Sequence, residues 1–243
     1  MMRGVILVSL LAVCIGLTVW VTSMDRVGIM HPFTYGRILE EVRRHLEMVL
    51  IGEFIAICIG VPLGVFAAHP RFRKLGSLVI GVANAGQAVP SMAIVAVMLP
   101  LMGRLGLRPM LVALVIWGVL PILRNSYAAI KSIDPAIVEA ARGMGMTRGQ
   151  IVRKIELPLA LPVIMAGVRV STVVLVGTAT LGALIAAGGL GEIILAGVFV
   201  GEPLIILQGG APAAAMAITL GFILGRLERW MTPRGLMVKE GMS

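Results

Sequence analysis

Long runs of apolar residues alternate with short polar segments along this 243-residue chain. A helix needs about 20 mostly apolar residues to cross the hydrocarbon core of a bilayer. Six runs of suitable length predict six membrane-spanning helices, at about residues 4–22, 46–68, 77–101, 109–127, 161–186 and 203–225. The pattern therefore predicts an all-α membrane protein, with a single transmembrane domain over residues 1–243.

Two segments near the N-terminus need a separate interpretation. Residues 4–22 follow one arginine and resemble a secretory signal, but no small-residue cleavage site follows them, so we expect a retained first span. From Thr34 to Leu50 charged and apolar residues are mixed. This mixture predicts an interfacial helix that leads into the second span.

The longest polar stretch between two apolar runs extends from Asp134 to Pro158. Aspartate followed by Pro135 is typical of a helix N-terminus, because the carboxylate caps the first turn and proline fits the first helical position. Gly143 and Gly145 predict the end of this helix, since glycine adopts the left-handed conformation of a C-terminal cap.

A second short helix is predicted directly after the glycines. Thr147 and Gln150 have the three-residue spacing of a capping box, which places the start of this helix at Arg148. We expect Pro158 to close it. The segment 134–158 is thus predicted to be a compact loop of two helices between the fourth and fifth spans.

The composition supports a membrane protein, and the basic residues predict its orientation. The chain is 58% hydrophobic and only 14% charged, with 21 lysines and arginines. If the N-terminus is cytoplasmic, fourteen of these 21 lie in cytoplasmic segments and six in outer segments, with Arg169 inside a run. Cytoplasmic segments are usually the more basic, so we expect both termini and the 134–158 loop in the cytoplasm. Aromatic residues are too few, at 5%, for a nucleic-acid partner.

Polar residues within the apolar runs are candidates for lining a translocation path. Asn84, Gln87 and Ser91 surround Pro90, which breaks the third run in its middle. Such backbone is tolerated at membrane depth where it faces protein or a water-filled cavity. Thr178 and Thr180 are the candidates in the small-residue-rich fifth run. For all of them, packing between helices is the alternative.

Two charged residues also lie within the runs. For Glu53 we expect a position near the outer interface or against a partner helix, and for Arg169 a side chain that extends towards the cytoplasmic interface. A role in the pathway is the alternative for both. The two cysteines and three histidines show no metal-ligand spacing, so we expect no metal site.

The 134–158 loop resembles the EAA loop of importer-type ABC transporter permeases. Glu139-Ala140-Ala141 is followed by Gly145 and then by Ile155-x-Leu157-Pro158, and both the order and the spacing match. The resemblance implies docking into a groove of an ATPase subunit. The docking residues it implies are Glu139, Ala140, Ala141, Gly143, Gly145, Ile155, Leu157 and Pro158.

Shorter motifs resemble the branch of this family that carries glycine betaine, choline or carnitine. They are His45-Leu46, GVPLG at 60–64, QAVPS at 87–91, GMGMTRGQ at 143–150 and AGGLG at 187–191. Glu53 departs from this branch, where small or hydroxyl residues are usual. The resemblance implies a small osmoprotectant as substrate, with methionine or another amino acid as the alternative.

The resemblance also implies partners and a location. These are two ATPase subunits, a second permease subunit, an extracytoplasmic substrate-binding protein and the lipid of a bacterial cytoplasmic (inner) membrane. No phosphate-binding Gly-rich loop with lysine occurs in the sequence. We therefore expect a chain that is not an enzyme and holds no cofactor, with ATP and Mg²⁺ on the partner.

Two functions of other classes are weighed against import driven by ATP. A secondary transporter would use an ion gradient, with Glu53 as the coupling carboxylate, but the inverted repeats and paired broken helices typical of such proteins are not evident in the sequence. A membrane scaffold that binds an ATPase for signalling would not need polar residues in the third and fifth spans.

Overall fold

All regular structure in the part of the chain that is described is helical, as predicted. The structure is a computed structural model that describes residues 34–69 and 72–231, together with Gly16. Its elements in chain order are α1 (Tyr35–Ala68), α2 (Arg73–Gln87), α3 (Ser91–Met102), α4 (Leu107–Lys131), α5 (Pro135–Gly143), α6 (Arg148–Ile151), a π-helical turn (Val152–Glu156), α7 (Leu157–Ala179), a 3-10 turn (Thr180–Ile185), α8 (Leu190–Val200) and α9 (Pro203–Met231).

Four helical stretches among these residues are long and apolar enough to cross a membrane. They are α1, α4, the stretch Arg148–Ile185 and α9. The pair α2 and α3 is bent by 100° and makes a fifth span if it is counted as one. The predicted spans at 46–68, 109–127 and 203–225 fall within three of these stretches, and the span at 161–186 ends one residue beyond the stretch Arg148–Ile185. The predicted span at 4–22 lies outside the described residues, apart from Gly16.

The predicted interfacial helix at Thr34–Leu50 is not a separate element. One helix, α1, runs for 34 residues from Tyr35 to Ala68. Its polar first half continues the helix because Glu41 and His45 are fully buried against neighbouring elements. At about 1.5 Å per residue, α1 is about 51 Å long and exceeds the roughly 30 Å of a hydrocarbon core. We call the end of the bundle that carries Glu41 its outer end, after the predicted topology.

The centre of the bundle is formed by α1, α4 and α7. Small residues let α1 and α4 approach closely, as expected for helices in a bilayer. A Cβ atom on Gly64 would lie 2.5 Å from the Cβ of Ser126, and one on Gly118 would lie 2.9 Å from the Cβ of Ala56. The main core cluster contains Met48, Val49, Val95, Met98, Met110, Ala113, Leu114, Leu175, Val176, Ala179 and Ile185.

Pro158 does not close the second loop helix, contrary to the prediction. The chain stays helical from Arg148 through the π-helical turn into α7. Proline lacks an N–H and its ring clashes with the carbonyl group four residues earlier. A π-helical turn directly before it widens the helix there, and the Leu157 N–H accordingly donates to the carbonyl oxygen of Val152.

Arg169 pairs with an acidic residue near the C-terminal end of α9, a contact that the sequence did not predict. Its Nη1 lies 3.2 Å from Oε2 of Glu228 on α9. Gly225 makes this possible, because a Cβ atom at that position would lie 3.0 Å from the same Nη1. The pair joins α7 to α9.

A further helix lies where the sequence predicted an outer connection between the fifth and sixth spans. Helix α8 has eleven residues and begins directly after the glycines of the AGGLG motif. It is too short to span a bilayer, but Leu190 and Ile193 on it are fully buried against Ile205 and Ala213 of α9. Long-range packing of an apolar segment therefore decides its conformation.

Candidate functional site

The first helix of the 134–158 loop is closed at both ends by the predicted residues. Asp134 accepts a hydrogen bond from the Ala136 N–H at 2.9 Å. At the other end the Gly145 N–H donates to Arg142 and the Met146 N–H donates to Ala141, which together form a Schellman cap. Gly145 has a φ of +81°, the left-handed conformation that the cap requires. The turn at Gly145 is thus confirmed, whereas Gly143 is the last residue of the helix and is not left-handed.

The second helix begins with the predicted capping box. The Gln150 N–H donates to the Thr147 hydroxyl at 3.4 Å, and the Thr147 N–H donates to Oε1 of Gln150 at 2.8 Å. Arg148 then makes two hydrogen bonds to the carboxylate of Glu156, at 2.6 and 3.0 Å. Glu156 is only 4% exposed, whereas the Arg148 side chain is 31% exposed, so the carboxylate is buried and the guanidinium is partly in contact with solvent. The pair fixes α6 to the π-helical turn.

The eight proposed docking residues fall into three groups according to their exposure. Glu139, Ala140, Gly143 and Gly145 are exposed, and Ile155, Leu157 and Pro158 are half-buried. Ala141 is buried inside the loop. Next to the exposed group, Ile137 is 42% and Met144 is 73% exposed. The loop therefore exposes small and apolar side chains, and hydrogen-bonded caps fix both ends of α5 and the start of α6.

The predicted break in the third span is present. Helix α2 ends at Gln87 and α3 begins at Ser91, with an angle of 100° between them. Pro90 at the break has a φ of −58° and no N–H to donate. Asn84 and Pro90 are exposed, whereas Gln87 and Ser91 are half-buried. Polar groups therefore gather around the bend, where a lipid-facing helix would carry apolar side chains.

The two threonines proposed for the path occupy different surroundings. Thr178 is buried within the chain at 7% exposure, which favours packing between helices as its role. Thr180 is half-buried, and its hydroxyl donates to the carbonyl oxygen of Gly177 at 2.7 Å. Neither side chain joins the polar group at the α2–α3 bend.

The AGGLG motif forms a turn that is joined to the outer part of α1. Gly188 and Gly189 have φ values of +84° and +88°. The Gly189 N–H donates to Oε2 of Glu41 at 2.8 Å, and Nε of Arg37 donates to the other carboxylate oxygen at 3.0 Å. His45, one turn further along α1, contacts the carbonyl oxygen of Val176 through Nε2 at 3.0 Å. The turn, α1 and α7 therefore meet at one outer junction.

Sequence reasoning missed the acceptor of the loop pair and the outer junction. The sequence placed Arg148 at a helix start but gave no partner for it, since Glu156 lies eight residues away, beyond the range of regular helix neighbours. Glu41 appeared only as one charge in a mixed segment. A buried role for both acids depends on packing that no local pattern encodes.

Comparison with known proteins agrees with this arrangement. A family described as the binding-protein-dependent transport system inner membrane component matches residues 60–235, which include the whole 134–158 loop. The chain belongs to this family. It is accordingly a membrane permease of the ABC importer type, and the predicted fold class is confirmed.

Individual permeases of this kind are similar over most of the chain. The glycine betaine/carnitine/choline transport system permease protein OpuCB of Bacillus subtilis is 43% identical over 208 residues, covering 86% of this chain and 94% of the relative. The choline transport system permease protein OpuBB of the same organism is 41% identical over 208 residues, with the same coverage.

A solved structure supports the permease fold. The MetNI methionine ABC transporter, in an inward-facing conformation, matches with a TM-score of 0.75 at 27% identity. The match covers 81% of this chain and 96% of that chain. The helical core of this permease therefore has the architecture of a structurally characterised importer.

Proposed function

We propose that this permease carries a small osmoprotectant such as glycine betaine, choline or carnitine across the membrane. The observation that carries the proposal is the similarity, at 41% and 43% identity, to two relatives whose names state these substrates. The five short motifs of the same branch point in the same direction.

The energy for transport comes from partner subunits in this proposal. Two ATPase subunits bind the 134–158 loops of two permease subunits, and ATP and Mg²⁺ are held by the ATPases. The exposed Ala140 and Met144, close to Glu139, offer the small, apolar and acidic groups that a docking surface can use. This chain holds no cofactor and catalyses no reaction.

The proposed location is the bacterial cytoplasmic membrane, with both termini and the loop on the cytoplasmic side. The distribution of basic residues favours this orientation. The geometry is consistent with it, because Phe66 and His69 at the inner end of α1 line one cavity together with Arg148 of the loop. Gly189 follows the other end of α7, and it contacts Glu41 near the opposite end of α1.

Tight recognition of the substrate belongs to an extracytoplasmic binding protein in this proposal. Quaternary ammonium groups are usually bound by aromatic cages through cation–π attraction. The whole chain has two tyrosines and three tryptophans. The permease therefore provides a path with weak contacts, and the binding protein selects the solute and delivers it at the outer end.

Methionine or another amino acid is the second candidate substrate. The observation in its favour is the structural match to the MetNI methionine transporter at 27% identity. The osmoprotectant proposal has the stronger support, because the sequence relatives named for choline and betaine solutes are more similar. Transport driven by an ion gradient through Glu53 is disfavoured, because the family model that matches residues 60–235 describes a binding-protein-dependent transport system.

Uptake of labelled solutes by cells that express the full set of subunits tests the proposal. We expect uptake of glycine betaine, choline or carnitine at high osmolarity, and its loss when the ATPase partner carries an inactivating substitution in its phosphate-binding loop. Uptake of methionine alone would replace the substrate assignment. Uptake that persists with the inactive ATPase would contradict an ATP-driven mechanism.

A further inference from the structure

An exposed stripe of α4 carries a single positive charge. Val112, Ile116, Leu120 and Arg124 are each four residues apart and therefore form a row that winds slowly around the helix. Val112 is 40% and Ile116 is 38% exposed, Leu120 is half-buried, and Arg124 is exposed. Three apolar side chains thus precede a guanidinium group in this row.

Arg124 lies well inside the helix. It falls inside the predicted fourth span at 109–127, near the cytoplasmic end of that span, and α4 continues for seven residues beyond it to Lys131. At about 1.5 Å per residue this distance is about 10 Å. Charges within spans are costly and usually face a pathway, a cavity or a partner.

The end of α2 contacts this same part of α4. Nη1 of Arg124 lies 3.5 Å from Oε1 of Gln87, at the α2–α3 bend. One residue earlier, a Cβ atom on Gly86 would lie 3.2 Å from Cδ1 of Leu120. The guanidinium therefore lies beside the bend. Asn84, one turn before Gln87 on α2, is exposed next to this point.

No acidic residue neutralises this charge among residues 34–69 and 72–231. The ion pairs there join other residues, and none includes Arg124. Its one long hydrogen bond to Gln87 occupies one of five N–H donors. The Gln87 amide nitrogen, bonded to the same carbon atom as Oε1, is a further donor close by. The place therefore combines a free cation with amide donors and lacks an anion.

We propose that Arg124, together with Gln87, forms a weak binding site for the carboxylate group of a zwitterionic solute on its way through the membrane. The planar guanidinium presents its N–H groups in a fork that matches two carboxylate oxygens. This inference rests on the proposed function. It divides the proposed substrates in two, because glycine betaine and carnitine have a carboxylate and choline has none.

The contact is suited to weak, transient binding of a solute during transport. A conducting path must bind its solute well enough to admit it and weakly enough to release it. Gln87 competes for the same guanidinium, and the site is open rather than enclosed. The other anion that Arg124 could bind is the phosphate of a lipid at the inner interface. A lipid role predicts equal effects of an Arg124 substitution on all three solutes.

Uptake kinetics of the three solutes test the site in the complete transporter. The variants are Arg124→Gln, Arg124→Lys and, as a matched control, Lys131→Gln, which removes a cation from the same helix without touching Gln87. We expect Arg124→Gln to lower the uptake of glycine betaine and carnitine at least about tenfold relative to that of choline, the effect of losing one charge-assisted hydrogen bond. Arg124→Lys should retain part of the uptake, and Lys131→Gln all of it.

Equal loss of all three solutes in Arg124→Gln would overturn the assignment and favour a lipid or structural role. Unchanged uptake, or an unaltered protein that carries choline alone, would overturn it as well. If the unaltered protein carries only the two carboxylate solutes, their loss in Arg124→Gln supports the site provided that Lys131→Gln is active and the complex keeps its thermal stability. Failure of the unaltered protein to carry any of the three solutes would instead count against the proposed function.

Discussion

The carboxyl group of Glu53 on α1 lies 2.7 Å from the hydroxyl oxygen of Ser171 on α7. The same hydroxyl lies 3.2 Å from the carbonyl oxygen of Gly118 on α4. Glu53 is 5% exposed and Ser171 is fully buried. Three central helices thus meet at one polar contact. Of the two expectations for Glu53, contact with a partner helix is the one the structure shows.

Removal of the Ser171 hydroxyl should destabilise the bundle. Ser171→Ala leaves a buried carboxyl group without this partner, which costs about 1–3 kcal/mol. Glu53→Gln keeps an oxygen that accepts from the hydroxyl, so its cost should be smaller. The thermal midpoint of the purified complex measures both effects.

Thr219→Val is the matched control for this contact. The Thr219 hydroxyl donates to Ala215 of its own helix at 2.7 Å and joins no second helix. We expect only a small shift of the midpoint for this variant. A loss as large as that of Ser171→Ala would show that the contact between helices contributes nothing in particular.

A side chain at Gly145 should uncouple the loop from transport. The residue has a φ of +81°, and a β-branched side chain is strongly disfavoured there. Gly145→Val should therefore distort the Schellman cap, with a cost of about 1–3 kcal/mol at this site. We expect uptake to be lost while the protein remains in the membrane, as measured by labelled-solute uptake and membrane immunoblotting.

The control for this variant is Gly149→Ala on α6. Gly149 is helical, and a Cβ atom there would have nothing within 4 Å. Uptake should be retained. If Gly145→Val transports as well as Gly149→Ala does, the turn is not needed for coupling.

Separation of the Arg148–Glu156 pair should cost more than removal of both charges. Arg148→Gln leaves the buried carboxylate of Glu156 without its guanidinium partner, and because Arg148 is itself 31% exposed we expect a cost of about 1–3 kcal/mol. The double variant with Glu156→Gln replaces the ion pair by two neutral amides and should recover much of the loss. Thermal unfolding of the single and double variants checks this order, and a double variant less stable than Arg148→Gln would contradict it.

A methyl group at Gly189 should disturb the outer junction for two reasons. The φ of +88° disfavours alanine, and the added Cβ atom would lie 2.7 Å from Cε of Met48 and 3.0 Å from Nδ1 of His45. Gly201→Ala separates the two causes, since Gly201 has a φ of +70° with nothing within 4 Å. We expect both variants to lower the thermal midpoint, and Gly189→Ala to lower it more. Equal shifts would mean that the junction relaxes without cost.

The parts of the fold that sequence reasoning predicted well depend on neighbours in the chain. Asp134 caps a residue two positions ahead, and Thr147 pairs with a residue three positions ahead. The break at Pro90 is predicted from the proline together with its polar neighbours, since Pro62, Pro121 and Pro212 lie inside helices without breaking them. Each of these features involves residues within one helical turn of each other, so the sequence spacing is enough to predict it.

The parts that could not be predicted join distant segments. Ser171 is 118 residues from Glu53, and Gly189 is 148 residues from Glu41. The continuation of the helix through Pro158 depends on a π-helical turn, which the proline itself would have argued against. Burial decided these outcomes. Glutamate in a mixed segment predicts an exposed charge, but packing of helices around it makes it a buried hydrogen-bond acceptor.

The length of α1 has a consequence for whatever protein approaches the outer end. The first turns of α1 are helical, and the carboxylate of Glu41 joins them to the backbone of Gly189. A protein that binds there therefore contacts a formed helix and not a loop that must first become ordered. Binding to a preorganised surface avoids the loss of about 0.5–1.5 kcal/mol for each side chain that would otherwise be immobilised.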